Sequence, residues 1–204
     1  MLKKPFVIFM LTFSTILCSL GVYLYFDFGN SENSAIDNQI LFNLPETSWL
    51  RLLPEEDIKA LEEMPAIEHY GAELEGGFTN EGGLKQAEGL PEVMYSNKTV
   101  ANLDGKLLRL GGYPVPLELN EKGEVLEFFL VPYPGACIHV PPPPPNQLIW
   151  VKSEKPFKVE NIYYPIWVVG TLKIEQVSNK LGDAAYTMQA LGVRDIEEDD
   201  PIAD

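Results

Sequence analysis

Apolar positions follow three different rhythms along the chain. From Phe6 to Phe26 they run for 21 residues without a single charge. As a helix that length spans about 30 Å, the hydrocarbon thickness of a bilayer. Helix is also the state in which a lipid-embedded segment satisfies its own backbone. Around Pro54 the spacing changes to threes. Ile58, Leu61 and Met64 form a narrow stripe behind Glu55, Glu56 and Asp57, which predicts a short one-faced helix from Pro54, ended by Pro65. From Ala101 onward the period becomes two. Lys106–Leu110 leads through Gly111-Gly112 into Tyr113–Leu117, and Asn120–Gly123 reads as a turn. Val125–Val131, Gln147–Val151, Ile166–Val177 and Ala185–Leu191 follow as strands. Five strands broken by Gly and Pro over about 95 residues predict a mainly β fold, a small barrel or sandwich.

These rhythms divide the chain into a membrane segment (residues 1–26), a polar tether (27–48), a helical and loop arm (49–100), a β-domain (101–194) and an acidic tail (195–204). Gly71–Gly89 holds six glycines with little periodicity and reads as a long loop. The first segment is expected to stay as an anchor, with Lys3 and Lys4 cytoplasmic and Tyr23 and Tyr25 at the interface. A cleaved signal peptide is the competing reading, with Ser19-Leu20-Gly21 as its site, but the apolar run continues past it to Phe26. A lipidated Cys18 has no small residue just ahead of it. The rest of the chain is thereby expected in the periplasm, facing away from the cytoplasm.

Charge changes meaning once the chain is divided in this way. The formal net charge is −15, but both basic residues of the first segment stay behind, so the exported part carries −17. Such a field repels phosphate backbones, which excludes nucleic acid as an expected partner. With 46% hydrophobic residues, a wholly disordered chain is excluded as well. No Walker loop, GxGxxG, HExxH or GxSxG occurs in the sequence, so nucleotide, zincin and serine-hydrolase chemistry has no support.

One stretch is unlike generic β-domain sequence. Seven prolines fall within residues 132–145, five of them consecutive (Pro141–Pro145). A Pro₅ run has no amide donors and is held near polyproline II, so it is expected to cross an edge or surface as a rigid connection. Tyr133, Pro141, Pro142, Pro143, Pro144, Pro145 and Asn146 are the expected interaction surface. Just ahead lie Cys137 and His139, which share a side in extended chain. Cys137 is the only cysteine outside the membrane segment, so its thiol is buried, metal-bound, reactive or paired between chains. Thiolate and imidazole suit a soft metal such as copper or zinc, with His69, Met64, Met94 and Met188 as further ligands if the fold gathers them. The same pair suits a thiol nucleophile beside a base, although no orienting acid is identifiable and no catalytic residue is assigned. Tyr113, Tyr133, Trp150, Tyr163, Tyr164 and Trp167 read as core and edge packing before they read as a stacking surface.

The string Val131–Gln147 (VPYPGACIHVPPPPPNQ) resembles the signature of an exported bacterial family catalogued as domain of unknown function 3299. Trp49 with Leu53-Pro54, Gly105-Lys106 through Tyr113–Glu118, and Trp167–Leu172 extend the resemblance over most of residues 45–195. It implies an OB-like five-stranded barrel. It also implies a cell-envelope role, since relatives lie beside genes for ABC-type export or metal-homeostasis systems, and it carries no activity to transfer. The resulting expectation is a non-enzymatic, inner-membrane-anchored accessory protein without a cofactor, supporting an envelope transporter or metal-handling system through protein contacts. A copper or zinc carrier using Cys137 and His139, and a thiol-dependent or redox enzyme using Cys137, are the alternatives.

Overall fold

The computed structural model describes residues 41–64, 83–86, 89–136, 142–197 and 200. The expected membrane helix and most of the tether lie outside them. Among the described residues no helix is long and apolar enough to cross a membrane. From Leu44 onward the described residues form one compact unit.

Five strands carry the fold: β1 (Leu107–Leu119), β2 (Val125–Val131), β3 (Ile149–Phe157), β4 (Ile166–Ser178) and β5 (Asp183–Asp195). They close into a barrel in the order β1-β2-β3-β5-β4. All neighbours are antiparallel except β3 and β5, which run parallel. β1 closes the barrel by serving two partners. Leu107–Gly112 pairs with β4 and Tyr113–Leu119 with β2. Gly112 lies at the changeover, where an added Cβ would meet the Val131 carbonyl at 2.8 Å. Pro114 and Pro116 follow it, where β1 pairs with β2 but no longer with β4, and a strand edge of that kind tolerates residues without an N–H.

The interior is filled by alternate residues of each strand, among them Leu110, Phe128, Leu130, Ile149, Val168 and Leu172. Phe128 meets Phe157 edge-on, with ring centroids 5.3 Å apart. Gly170 on β4 leaves room for β5 to come close: a Cβ there would lie 2.5 Å from the Gln189 carbonyl oxygen and 2.7 Å from Met188.

The strands agree with the period-two reading, with two differences at their ends. Gln147, expected inside a strand, sits in a single 3-10 turn at Pro145–Gln147, and β3 continues instead through the charged stretch Lys152–Phe157. β5 starts two residues earlier than expected and runs four residues longer.

Described parts of the arm pack on the barrel, with Trp49, Leu52 and Val100 against its core. A 3-10 turn (Trp49–Leu52) leads into α1 (Glu55–Glu62), for which Pro54 supplies the first acceptor carbonyl. The expected stripe is only partly right. Ile58, Leu61 and Met64 are half-buried, and the helix residue that goes fully inside is Asp57.

Candidate functional site

The specific motif ends in Asn146-Gln147, and both side chains are spent holding the arm to the barrel. Asn146 is fully buried. Its amide nitrogen donates to the Asp57 carboxylate at 2.7 Å and to the Lys98 carbonyl at 3.0 Å. The Ser96 hydroxyl donates to the same Asp57 oxygen at 2.5 Å, and the Asn146 backbone N–H returns to the Ser96 carbonyl. Lys98 lies 3.8 Å from Asp57 and pairs more closely with Glu56, at 2.8 Å. A buried carboxylate is costly unless charge-assisted hydrogen bonds satisfy it, and here two donors on one oxygen do so. Gln147 donates to the Trp49 carbonyl, and the Trp49 indole donates to the Gly111 carbonyl at 2.7 Å. The motif therefore connects three segments far apart in sequence.

The proline run lies mostly inside rather than across the surface. Pro142, Pro143 and Pro144 are buried and Pro145 is half-buried. The reason is chemical: a proline run has no N–H to leave unsatisfied, so burial asks only for donors to its carbonyls. Gln86 supplies them, donating to Pro142 at 3.0 Å and to Pro143 at 2.6 Å. Of the expected interaction surface, Pro142–Pro144 and Asn146 are thus interior. Tyr133 is half-buried, and desolvation pushes its phenol up to about 12. Pro141, Cys137, His139 and His69 lie outside the described residues. Among the described residues no group of three His, Cys, Asp or Glu gathers as a metal site. Met188 is in the barrel interior and Met94 is buried in a 3-10 turn (Glu92–Tyr95).

A second apolar cluster forms on the outside of β1, β2 and β3. Val115, Phe129 and Trp150 stand in one cross-strand row. Phe129, Val131, Ala136, Leu148 and Ala184 pack with Leu84, which is 2% exposed. Leu84 belongs to the glycine-rich stretch, which gave no periodic signal. It is held by a parallel bridge to Gly182, by its N–H on the Leu181 carbonyl, and by Lys85 on Asp183 at 2.6 Å. Beside it the Trp150 indole donates to Glu127, whose other oxygen meets Lys152 at 3.2 Å, and the Lys152 ammonium lies 4.6 Å over the Trp150 ring.

Asp200, from the acidic stretch that follows β5, lies against β5. Arg194 grips Asp200 with two bonds of 2.7 and 2.6 Å. The Trp167 indole donates to the same carboxylate at 3.1 Å. The Arg194 guanidinium holds the Asp200 carboxyl well below the usual carboxylate range, aided by the Glu197 N–H and the indole and opposed by burial. Trp167 is fully buried, with Arg109 lying 4.2 Å over its ring. A hollow of 290 Å³ opens beside this clasp, lined by Val159, Glu160, Asn161, Tyr164, Pro165, Ile166, Asp195 and Ile196.

Of the aromatic residues, Tyr113, Tyr133 and Trp150 pack against the outer cluster and Trp167 is fully buried on the outer face of β4 beneath Arg109, in keeping with core and edge packing. Tyr163 and Tyr164 differ, being 44% and 64% exposed.

Five strands closed as β1-β2-β3-β5-β4, with the single parallel pair β3–β5 and a β1 shared between two partners, define the chain as an OB-type barrel protein. The family model described as Protein of unknown function (DUF3299) matches residues 49–195, and the chain belongs to that family. A crystal structure of a DUF3299 family protein from Pseudomonas aeruginosa PAO1 is similar to it, at 36% identity and a TM-score of 0.54, covering 76% of this chain and 98% of that one. No curated protein matches the chain.

Proposed function

We propose that the chain is a non-enzymatic accessory protein of the cell envelope, anchored in the inner membrane through residues 6–26. Its barrel stands in the periplasm and supports a transport or metal-homeostasis assembly through protein contacts. The observation that supports this reading is the covered outer face of β2 and β3. OB barrels take up oligonucleotides or oligosaccharides on that face. Here Phe129 is fully buried beneath the chain's own Leu84, so the groove is filled from within. The −17 charge of the exported part works against a polyanion in the same place. What the barrel offers outward is an acidic surface with exposed Tyr163 and Tyr164, a surface of the kind partner proteins recognise.

Photo-crosslinking in the native membrane tests this. A photoreactive residue in place of Tyr163, Tyr164 or Leu119 is expected to give discrete protein adducts from at least one position. Adducts at none of them, in cells where the protein is present in the membrane fraction, would overturn the reading.

A further inference from the structure

The hollow beside the C-terminal clasp combines three features. Its floor is apolar, built from Val159, Pro165, Ile166 and Ile196. Its rim carries the Tyr164 side chain, which is 64% exposed. It also carries two exposed carboxylates, Glu160 and Asp195, neither of which forms an ion pair or accepts a side-chain hydrogen bond among the described residues. The adjacent cation, Arg194, does not fill the gap, because its guanidinium is committed to Asp200. Lys158 precedes the lining residues and is exposed.

We infer that this hollow receives a lysine or arginine side chain presented by a partner protein. Such side chains have an apolar stem and a cationic head, and they lay the stem along apolar surface while the head stays polar. The floor and rim divide in the same way. A tyrosine face beside the carboxylates adds cation–π attraction. At 290 Å³ the hollow is just below the range of pockets for drug-sized molecules, a size that suits one long side chain. A hard divalent cation fits poorly, since it needs six or more oxygen ligands and the floor offers none. A quaternary ammonium headgroup calls for an aromatic cage, and only one ring stands here. The inference rests on the protein-contact reading above, and it specifies the chemistry of the contact.

The test is binding of a fluorescein-labelled triarginine peptide to the full chain in detergent micelles, followed by anisotropy at low ionic strength. Saturable binding is expected, weakened at least fivefold by Glu160→Gln with Asp195→Asn and by Tyr164→Ala. Tyr164→Phe keeps the ring face and should keep the affinity. Glu175→Gln serves as the charge control, nine residues along β4 from the hollow, or about 30 Å. If Glu175→Gln weakens binding as much as the double variant, the general negative field is responsible and the inference fails. Competition by choline as effective as by free arginine would also overturn it, in favour of a quaternary ammonium ligand. Unaltered melting temperatures of the variants, all at exposed positions, exclude unfolding as the cause. Peptide binding without any crosslinked partner would count against the accessory reading and leave the hollow standing, and the reverse result would do the opposite.

Discussion

Asn146 sits where removal of one group takes a donor from a buried carboxylate and from a backbone carbonyl. Its amide nitrogen contacts Asp57 and Lys98, and the Ser96 hydroxyl bonds the same Asp57 oxygen. Leaving a buried carboxylate short of a donor costs about 1–3 kcal/mol. Asn146→Ala is therefore expected to lower stability by about that amount in urea denaturation. Asn146→Asp is the sharper test. It would set a second carboxylate within about 3 Å of Asp57, so the two cannot both ionise without cost. The variant should be less stable than wild type at pH 7 and recover part of the deficit as the pH is lowered. A deficit independent of pH would show that Asn146 acts through shape and not through its hydrogen bond to Asp57.

The strands were legible in sequence because alternation of apolar and polar residues is what a half-buried strand requires. Leu84, Asp57 and the buried prolines were not, and each for a different physical reason. Leu84 is a lone apolar residue among glycines, and it is fixed by contact with Gly182, about a hundred residues away. Asp57 reads from sequence as a companion of the α1 dipole, but two donors from other segments draw it inside. The prolines carry no donor and read as surface, until Gln86 supplies hydrogens to their carbonyls. The hollow leaves no mark in the sequence because Glu160 and Asp195 lie far apart along the chain, and their juxtaposition depends on the register Ile166↔Asp195. Two further expectations belong to these short elements. Leu84→Ala should cost about 2 kcal/mol, the low end for a buried leucine, because so short a segment can lift away and relax. Its signature would be faster hydrogen exchange at Gly182 and Asp183 with the barrel core unchanged. The clasp predicts an acid limb. Because the Asp200 carboxyl is held below its ordinary value of 3.8 when folded, its contribution is complete above that value and is lost as pH falls through the folded one. Wild type should lose stability from about pH 5 downward more steeply than Asp200→Asn, measured as melting temperature against pH.

For the whole molecule, residues 6–26 set the first expectation. The full chain should resist carbonate extraction from membranes, whereas a chain beginning at Asp27 should be released as a soluble protein. Release of the full chain would remove the anchor from the proposed function. Long connections define the rest of the molecule. The Tyr186 hydroxyl donates to the Leu52 carbonyl, 134 residues earlier, and takes the Val100 N–H in return. Gln147 reaches the Trp49 carbonyl across 98 residues. A chain that emerges N-terminus first thus presents its arm long before β5 exists to receive it. Until Tyr186 arrives, Leu52 and Leu53 have no interior to enter, and the neighbouring Glu55, Glu56 and Asp57 keep that stretch in water. Folding should then be slow, in the millisecond-to-second regime of domains dominated by distant pairings, with arm docking its last event. The tyrosine that latches the finished barrel is, during synthesis, a clock.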